Sequence, residues 1–344
     1  MAIARSHGVG VRFARRDGTL LPAVLLAALF LPTLHGPAAT QPSLPAKQIT
    51  IIVPFAAGGP SDAMARLIAQ GLGDQVGARV LVENVAGAGG TIGSARVSRA
   101  EPDGHTLLFG NIGTHAANVG LYKSLPYDPQ ADFEPVMLVA SVPFVVAARR
   151  ELPADSFARF RALASSKPGE LNYGSAGIGS ASHLACLLLD AAMGAKARHI
   201  PYRGVALAMN DLVGGQIDFM CDQTVTMIPQ IRGGTVRPLA VLSRTRIALL
   251  PDLPTAAEAG LPDVQVEAWN ALFAPKGTPR AVVEQMYALT WAALATPSTR
   301  ARFEELGAIL PTQKDASPDA LRKHVAAEVI RWTRTLRASG VTLD

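Results

Sequence analysis

Ile49–Leu67 reads ITIIVPFAAGGPSDAMARL. An apolar, β-branched run ends at Pro54-Phe55, passes through two alanines and two glycines, and meets Ser61-Asp62 at the head of a helix predicted over 62–72. This is a strand handing over to a helix through a turn that carries no bulky side chain. Downstream, Ala78–Asn84 (ARVLVEN) reads as a second strand. Gly87-Ala88-Gly89-Gly90 reads as a turn, followed by a helix to Ser98, and His105–Phe109 (HTLLF) as a third strand. A βαβαβ order predicts a parallel sheet with helices on both faces. The fold class expected is therefore α/β.

The same unit returns at Leu171–Leu184, LNYGSAGIGSASHL. The first N–H groups of a helix lack intrahelical acceptors and carry about half a positive charge, so each turn is a candidate anion site. In the first turn the candidates are Phe55, Ala56, Ala57, Gly58, Gly59 and Ser61. Asp62 belongs to the same set by position, although its charge suits it better to capping the helix or binding backbone in its own loop. In the second turn Ser175, Ala176, Gly177, Gly179 and Ser180 combine hydroxyls with backbone donors. His183, on the first helical turn, reads as a packing or capping residue before a ligand. Each turn alone is equally readable as a structural turn. Together, over a hundred residues apart, they point to a clamp closing on one small anion.

Between and beyond them the chain alternates. Glu134–Arg149 (EPVMLVASVPFVVAAR) is too long for an ordinary strand and is broken by Pro143, so it reads as a crossing between two domains with a hinge at Ser141–Pro143. A second α/β set follows, and Val264–Ala274 (VQVEAWNALFA) reads as the return crossing before a helical tail. The expected domains are 40–142 with 264–344, discontinuous, and 143–263. Ligands of such sheets bind beyond the carboxyl ends of the strands. Asp222, which ends the apolar strand IDFMCD, is thus a candidate, able to accept from a ligand amine, hydroxyl or water. Arg203 follows another strand end and can pair with an anion or sit solvated at the rim. Thr114 and His115, after the third strand, are expected on the first domain's side of the cleft. Trp269 reads as core.

Composition narrows the functions. Aromatics are 6% of the chain, too few for a stacking surface on single-stranded nucleic acid. Gly87–Gly93, GAGGTIG, misses the dinucleotide G-x-G-x-x-G spacing and follows the second strand, not the first. No G-x-S-x-G occurs, and neither the histidines nor the two cysteines, Cys186 and Cys221, show metal-ligand spacing. No catalytic residue, metal or cofactor is expected, and no enzyme. A hydrolase using Ser175 or Ser180 is the rival from that class. The two cysteines read either as a disulfide or as buried thiols.

The N-terminus carries Arg5, Arg12, Arg15 and Arg16 ahead of an apolar run, Leu20–Leu34, and then small residues. That is a secretory leader, with cleavage expected after Ala38 or Ala39; an uncleaved anchor helix is the alternative. Arg15-Arg16 is a twin-arginine pair in poorly matching flanks. Of the formal net charge of +5, +3 belongs to residues 1–39 (four Arg, one Asp), leaving about +2 and no footprint for nucleic acid.

From Lys47 onward the chain resembles the tripartite tricarboxylate transporter receptors, the Bug family of periplasmic solute-binding proteins. The matching segments include ITIIVPFAAGGPSDAMAR (49–66), VENVAGAGGTIGSARVSRAEPDGHTLL (82–108), LNYGSAGIGSASHL (171–184), PYRG (201–204), LVGGQIDFMCD (212–222) and WNALFAPKGTP (269–279). The resemblance implies a two-domain, type II periplasmic binding-protein fold. It implies that two loops, Phe55–Asp62 and Ser175–Ser182, pincer a carboxylate, and that Asp222 matches an Asp contacting the distal part of the ligand in some members. It departs after Gly204, where Val205, Ala206 and Leu207 replace the usual small residues and proline, so ligand choice does not transfer. The expectation is a periplasmic, monomeric receptor that captures a small organic carboxylate and delivers it to the membrane permease subunits of a tripartite transporter. The alternative is a sensing subunit that reports to a sensor kinase.

Overall fold

A computed structural model describes residues 48–339. The leader expected over 1–39 lies outside the described residues. In chain order the first part comprises β1 (Ile49–Val53), α1 (Pro60–Val76), β2 (Val80–Asn84), α2 (Thr91–Ser98), β3 (Thr106–Asn111), α3 (Asn118–Leu121) and β4 (Phe133–Arg149). Then come α4 (Phe157–Ser166), β5 (Asn172–Ser175), α5 (Ala181–Met193), β6 (Arg198–Pro201), α6 (Val205–Val213), β7 (Phe219–Gln223), α7 (Thr224–Arg232) and β8 (Val236–Val241). The last part is β9 (Glu267–Pro275), α8 (Arg280–Ala295), α9 (Pro297–Glu305), α10 (Gln313–Ala316) and α11 (Pro318–Ser339). Among the described residues no helix is long and apolar enough to cross a membrane.

The strands run in the order β2-β1-β3-β9-β4-β7-β5-β6, with β8 also on β4. β1 lies parallel between β2 and β3, and β6-β5-β7 form a second parallel group. β1 is buried except at Thr50, which is why its sequence is nearly all apolar. α1 starts with Pro60, whose missing N–H costs nothing in a first turn, and stops at Gly77 in the left-handed region.

Glu134–Arg149 is one continuous strand rather than an interrupted run. From Phe133 to Pro143 it pairs with β9, and from Phe144 to Arg149 with β7 and β8. Pro143 has no N–H to give a ladder, and it stands where the strand changes partners. β4 and β9 thereby carry the chain between the two parallel groups. α8 packs on α1, and α11 lies along β4 and α3. α7 has no counterpart in the sequence reading: Pro229 and the β-branched Thr224, Val225 and Thr226 hide a helix there. Cys186 on α5 and Cys221 on β7 form a disulfide, with Cα atoms 5.2 Å apart, closing the choice left open by the sequence.

Candidate functional site

β1 and β5 each end in a glycine-rich turn that opens α1 or α5, and the two helix starts face one narrow cavity. Gly59, Pro60, Ser61 and Asp62 line it from α1, and Ala176, Ser180, Ala181 and Ser182 from α5. Phe55, Asn111, Val205, Asp222 and Gln223 complete the wall. Among the described residues no lysine or arginine lines it.

The donors differ from those expected. Several N–H groups of the glycine-rich turns are consumed locally. Gly58 N donates to Asp62 Oδ2 at 2.9 Å, and Ala56 N to the Arg203 carbonyl at 3.3 Å. Ala176 N donates to Ser182 Oγ at 3.0 Å, Gly177 N to Ser175 Oγ at 3.1 Å, and Gly179 N to His183 Nδ1 at 3.2 Å. The first intrahelical bonds begin at Ala63 N and Leu184 N. Ser61 and Asp62 N–H on one side, and Ala181 and Ser182 N–H on the other, therefore have no protein acceptor among the described residues. These, with the Ser180 hydroxyl, are the groups that can receive an anion; the Ser61 hydroxyl is already given to Asn270 Oδ1. Gly58, Gly177 and Gly179, at φ of +84°, +112° and +82°, shape the turns and do not supply the donors.

Asp62 is fully engaged. Besides Gly58 N it accepts from Asn84 Nδ2 at 2.9 Å and Arg66 Nε at 3.0 Å. Burial pushes its pKa up, but Arg66, Gly58 and Asn84 together outweigh this and hold the carboxyl below its ordinary range. Its charge is thus spread into its own loop.

Asp222 is different. It sits at the carboxyl end of β7, 1% exposed. Oδ2 accepts from Thr226 Oγ1, while Oδ1 has no partner. Burial lifts its pKa to about 7 against the hydrogen bonds from Thr226 and the Gln223 backbone. Next to it, Gln223 Oε1 accepts from Asn270 Nδ2 at 3.1 Å, and Asn270 Oδ1 accepts from Ser61 Oγ at 3.3 Å. A polar relay so joins the start of α1 to the end of β7 through β9.

Thr114 and His115 do not line the cavity. Beyond Asn111 the chain enters a π-helical turn, Gly113–Ala117, that rotates both side chains inward. His115 stacks on Phe273 at 3.7 Å and meets Phe133 edge-on, while Thr114 Oγ1 lies 2.9 Å from His115 Nδ1. Burial drives the imidazole pKa down to about 3, so the ring is neutral. Asn111 lines the wall in their place, its Oδ1 accepting from Gly113 N at 2.9 Å. Ser175 is buried with its hydroxyl 2.6 Å from His199 Nε2, under the turn rather than in the cavity. Arg203 is exposed at the rim of a neighbouring groove shared with Gly89, Tyr122 and Ile178; only its carbonyl reaches across, to Ala56. Ala57 is exposed and does not line the cavity. Trp269 is core, its Nε1 donating to Glu328 Oε2. Asn111 and Gln223 were missed by sequence reasoning, while Val205, flagged there as the departure after Gly204, does line the wall. The strand-end rule that singled out Asp222 applies equally to Asn111 and Gln223.

Residues 64–341 match the model of the family described as tripartite tricarboxylate transporter family receptor. An Agrobacterium vitis protein, described as a UPF0065 protein in the TAR-I ttuE-ttuC' intergenic region, is 42% identical over 92% of this chain and 91% of its own. The solved structure of the periplasmic binding protein BugD superposes with a TM-score of 0.84 at 40% identity, covering 86% of this chain and 99% of that one. MatC from Rhodopseudomonas palustris, solved with bound malate, gives a TM-score of 0.82 at 41% identity, covering 84% and 99%. The α/β, two-lobed periplasmic binding-protein fold expected from the resemblance is the one found.

Proposed function

This chain belongs to the tripartite tricarboxylate transporter receptor family, and we propose that it captures a small organic carboxylate between the starts of α1 and α5. It is a periplasmic solute-binding receptor that hands its ligand to the membrane permease subunits of a tripartite transporter. No observation favours the sensing alternative. Residues 1–39 are the cleaved leader, and the lobes are 40–142 with 264–344 and 143–263, flexing where β4 changes partners at Pro143.

One observation carries the ligand class: two sets of unsatisfied helix-start donors, from lobes that are distant in sequence, open on one cavity. An anion touching both sets favours the closed form over the open one, because only closure brings them together. The wall also constrains the rest of the ligand. With no cation in it, the carboxylate is held by neutral donors and helix ends. The free Oδ1 of Asp222 asks for a donor in return, such as a hydroxyl, an ammonium or a protonated second carboxyl. Malate, the ligand in the MatC structure, has this pattern and is the first probe to use.

The test is a thermal-shift and calorimetric screen of the mature protein against organic acids, sugars and cations. A carboxylate at a hundred times its Kd should stabilise by about 2.7 kcal/mol. If no carboxylate raises the Tm while a sugar or cation does, the assignment fails. Sequencing the N-terminus of the exported protein checks the leader: the chain should begin near Thr40.

A further inference from the structure

His183 and Ser180 clasp one another across the start of α5. Ser180, the N-cap, accepts from His183 N at 3.3 Å, and His183 Nδ1 accepts from Gly179 N at 3.2 Å. This follows the reciprocal logic of a capping box, in which the third helical residue reaches back to the N-cap N–H, except that here it reaches one residue further, to Gly179. In the usual box that residue is Glu or Gln. A glutamate here would set a negative charge at the helix start that must receive an anion. Imidazole supplies the same acceptor without the charge.

The surroundings keep the ring in that state. Gly179 N–H can only donate, so Nδ1 is the bare nitrogen and the proton sits on Nε2. His199 stacks on His183 at 4.2 Å, and Tyr173 lies beyond it, stacked on His199 at 4.9 Å. Among the described residues neither imidazole has an ion-pair partner; Asp190 acts on Tyr173, not on the rings. Burial, reinforced by His199, lowers the His183 pKa to about 3, and burial lowers that of His199 to about 4. A second proton on His183 would face the Gly179 donor, its neighbour ring and the positive helix end.

We propose that His183 is a positioning and specificity residue of this receptor: a neutral capping-box partner that aims the Ala181 and Ser182 N–H groups at the ligand without repelling its charge. The inference rests on the reading that the start of α5 grips a carboxylate.

Three variants separate the two roles. His183→Asn keeps a neutral acceptor near the Nδ1 position and should hold malate affinity within about three-fold of wild type. His183→Glu keeps the acceptor and adds charge. At pH 8 it should fold with a lower Tm than wild type, since the charge is buried, and bind malate roughly ten-fold or more weakly than the Asn variant, as expected for like charges a few ångströms apart in a protein interior. His183→Leu should lose both the clasp and the affinity. Hydrogen exchange at Gly179, measured without ligand, should stay slow in the Asn and Glu variants and become fast in the Leu variant. Glu binding as tightly as wild type, or Asn losing as much affinity as Glu, overturns the proposal. So does a nitrogen-15 shift showing Nδ1 of wild-type His183 protonated at neutral pH, a readout that needs neither variant nor ligand. If malate does not bind wild type, the receptor's ligand is at fault, while slow exchange at Gly179 and a bare Nδ1 still uphold the clasp.

Discussion

At the scale of single residues, the two carboxyls of the cavity wall have opposite environments and opposite consequences. Asp62 spends its charge on Arg66, Asn84 and its own loop, so it stays ionised without presenting a bare anion to the ligand. Asp222 is buried with one oxygen unsatisfied, and its pKa rises to about 7 from a value near 3.8 in the unfolded chain. The sign of the linkage follows. Below about pH 3 the group is neutral in both states and costs nothing. As pH climbs towards 7 the unfolded chain ionises first, and the folded, ligand-free protein loses stability relative to it. Asp222→Asn removes that slope. Denaturation at pH 8 should find the empty variant roughly 2–4 kcal/mol more stable than wild type, with little difference below about pH 3. Binding should move the other way at neutral pH if the ligand donates to Oδ1. Parallel stability–pH curves for the two proteins would show that Asp222 is not strained by its burial.

Among elements, α5 and β7 act as one piece. The Cys186–Cys221 disulfide ties the helix that supplies Ala181 and Ser182 N–H to the strand that supplies Asp222. Closing a loop of 35 residues is worth roughly 3–4 kcal/mol by chain entropy. Reductant, or Cys186→Ala with Cys221→Ala, should lower the denaturant midpoint and raise the m-value, because the uncrosslinked denatured chain expands; an unchanged midpoint would mean the bond adds nothing to folding. These elements were legible in the sequence because Gly and Pro interrupt the apolar runs where strand becomes helix, as at Pro54–Pro60 and Gly174–Ser180. α7 was not legible, because Pro229 and three β-branched residues contradict the helix that packing against β4 imposes. Thr114 and His115 were misplaced because a π-turn and a strand-end loop look alike in sequence. Nor can a sequence say which N–H groups of a turn are spent, since that is decided by where the Asp62, Ser182 and His183 side chains fold back. That the two turns lie at helix starts facing one cavity was readable; the free N–H groups proposed to bind an anion lie one step beyond the glycines.

At the scale of the whole molecule, the α1 and α5 sides touch at Ala56–Arg203 and Tyr122–Ile178, and glycines are what let them meet. A Cβ on Gly89 would stand 1.9 Å from the Ile178 carbonyl, one on Gly113 2.8 Å from that of Gly179, and one on Gly204 2.7 Å from the Ala56 Cβ. Here the GAGGTIG stretch finds its use: Gly89 admits the opposite turn, and Tyr122 Oη donates to Ile178 O at 3.0 Å beside it. Gly204 offers the cleanest test of closure. Its φ is 179°, extended backbone open to any residue, and it contributes no side chain to the cavity. Gly204→Ala therefore strains nothing in the open protein and obstructs only the approach of Ala56. Overpacking of this kind costs roughly 1–3 kcal/mol, here charged to the closed state alone. The variant should keep the ligand-free Tm, bind malate about 5- to 150-fold more weakly, and show by small-angle scattering a radius of gyration that shrinks less on adding ligand. Wild-type affinity with full compaction would mean that the Ala56–Gly204 contact forms no part of the closed state that holds the ligand.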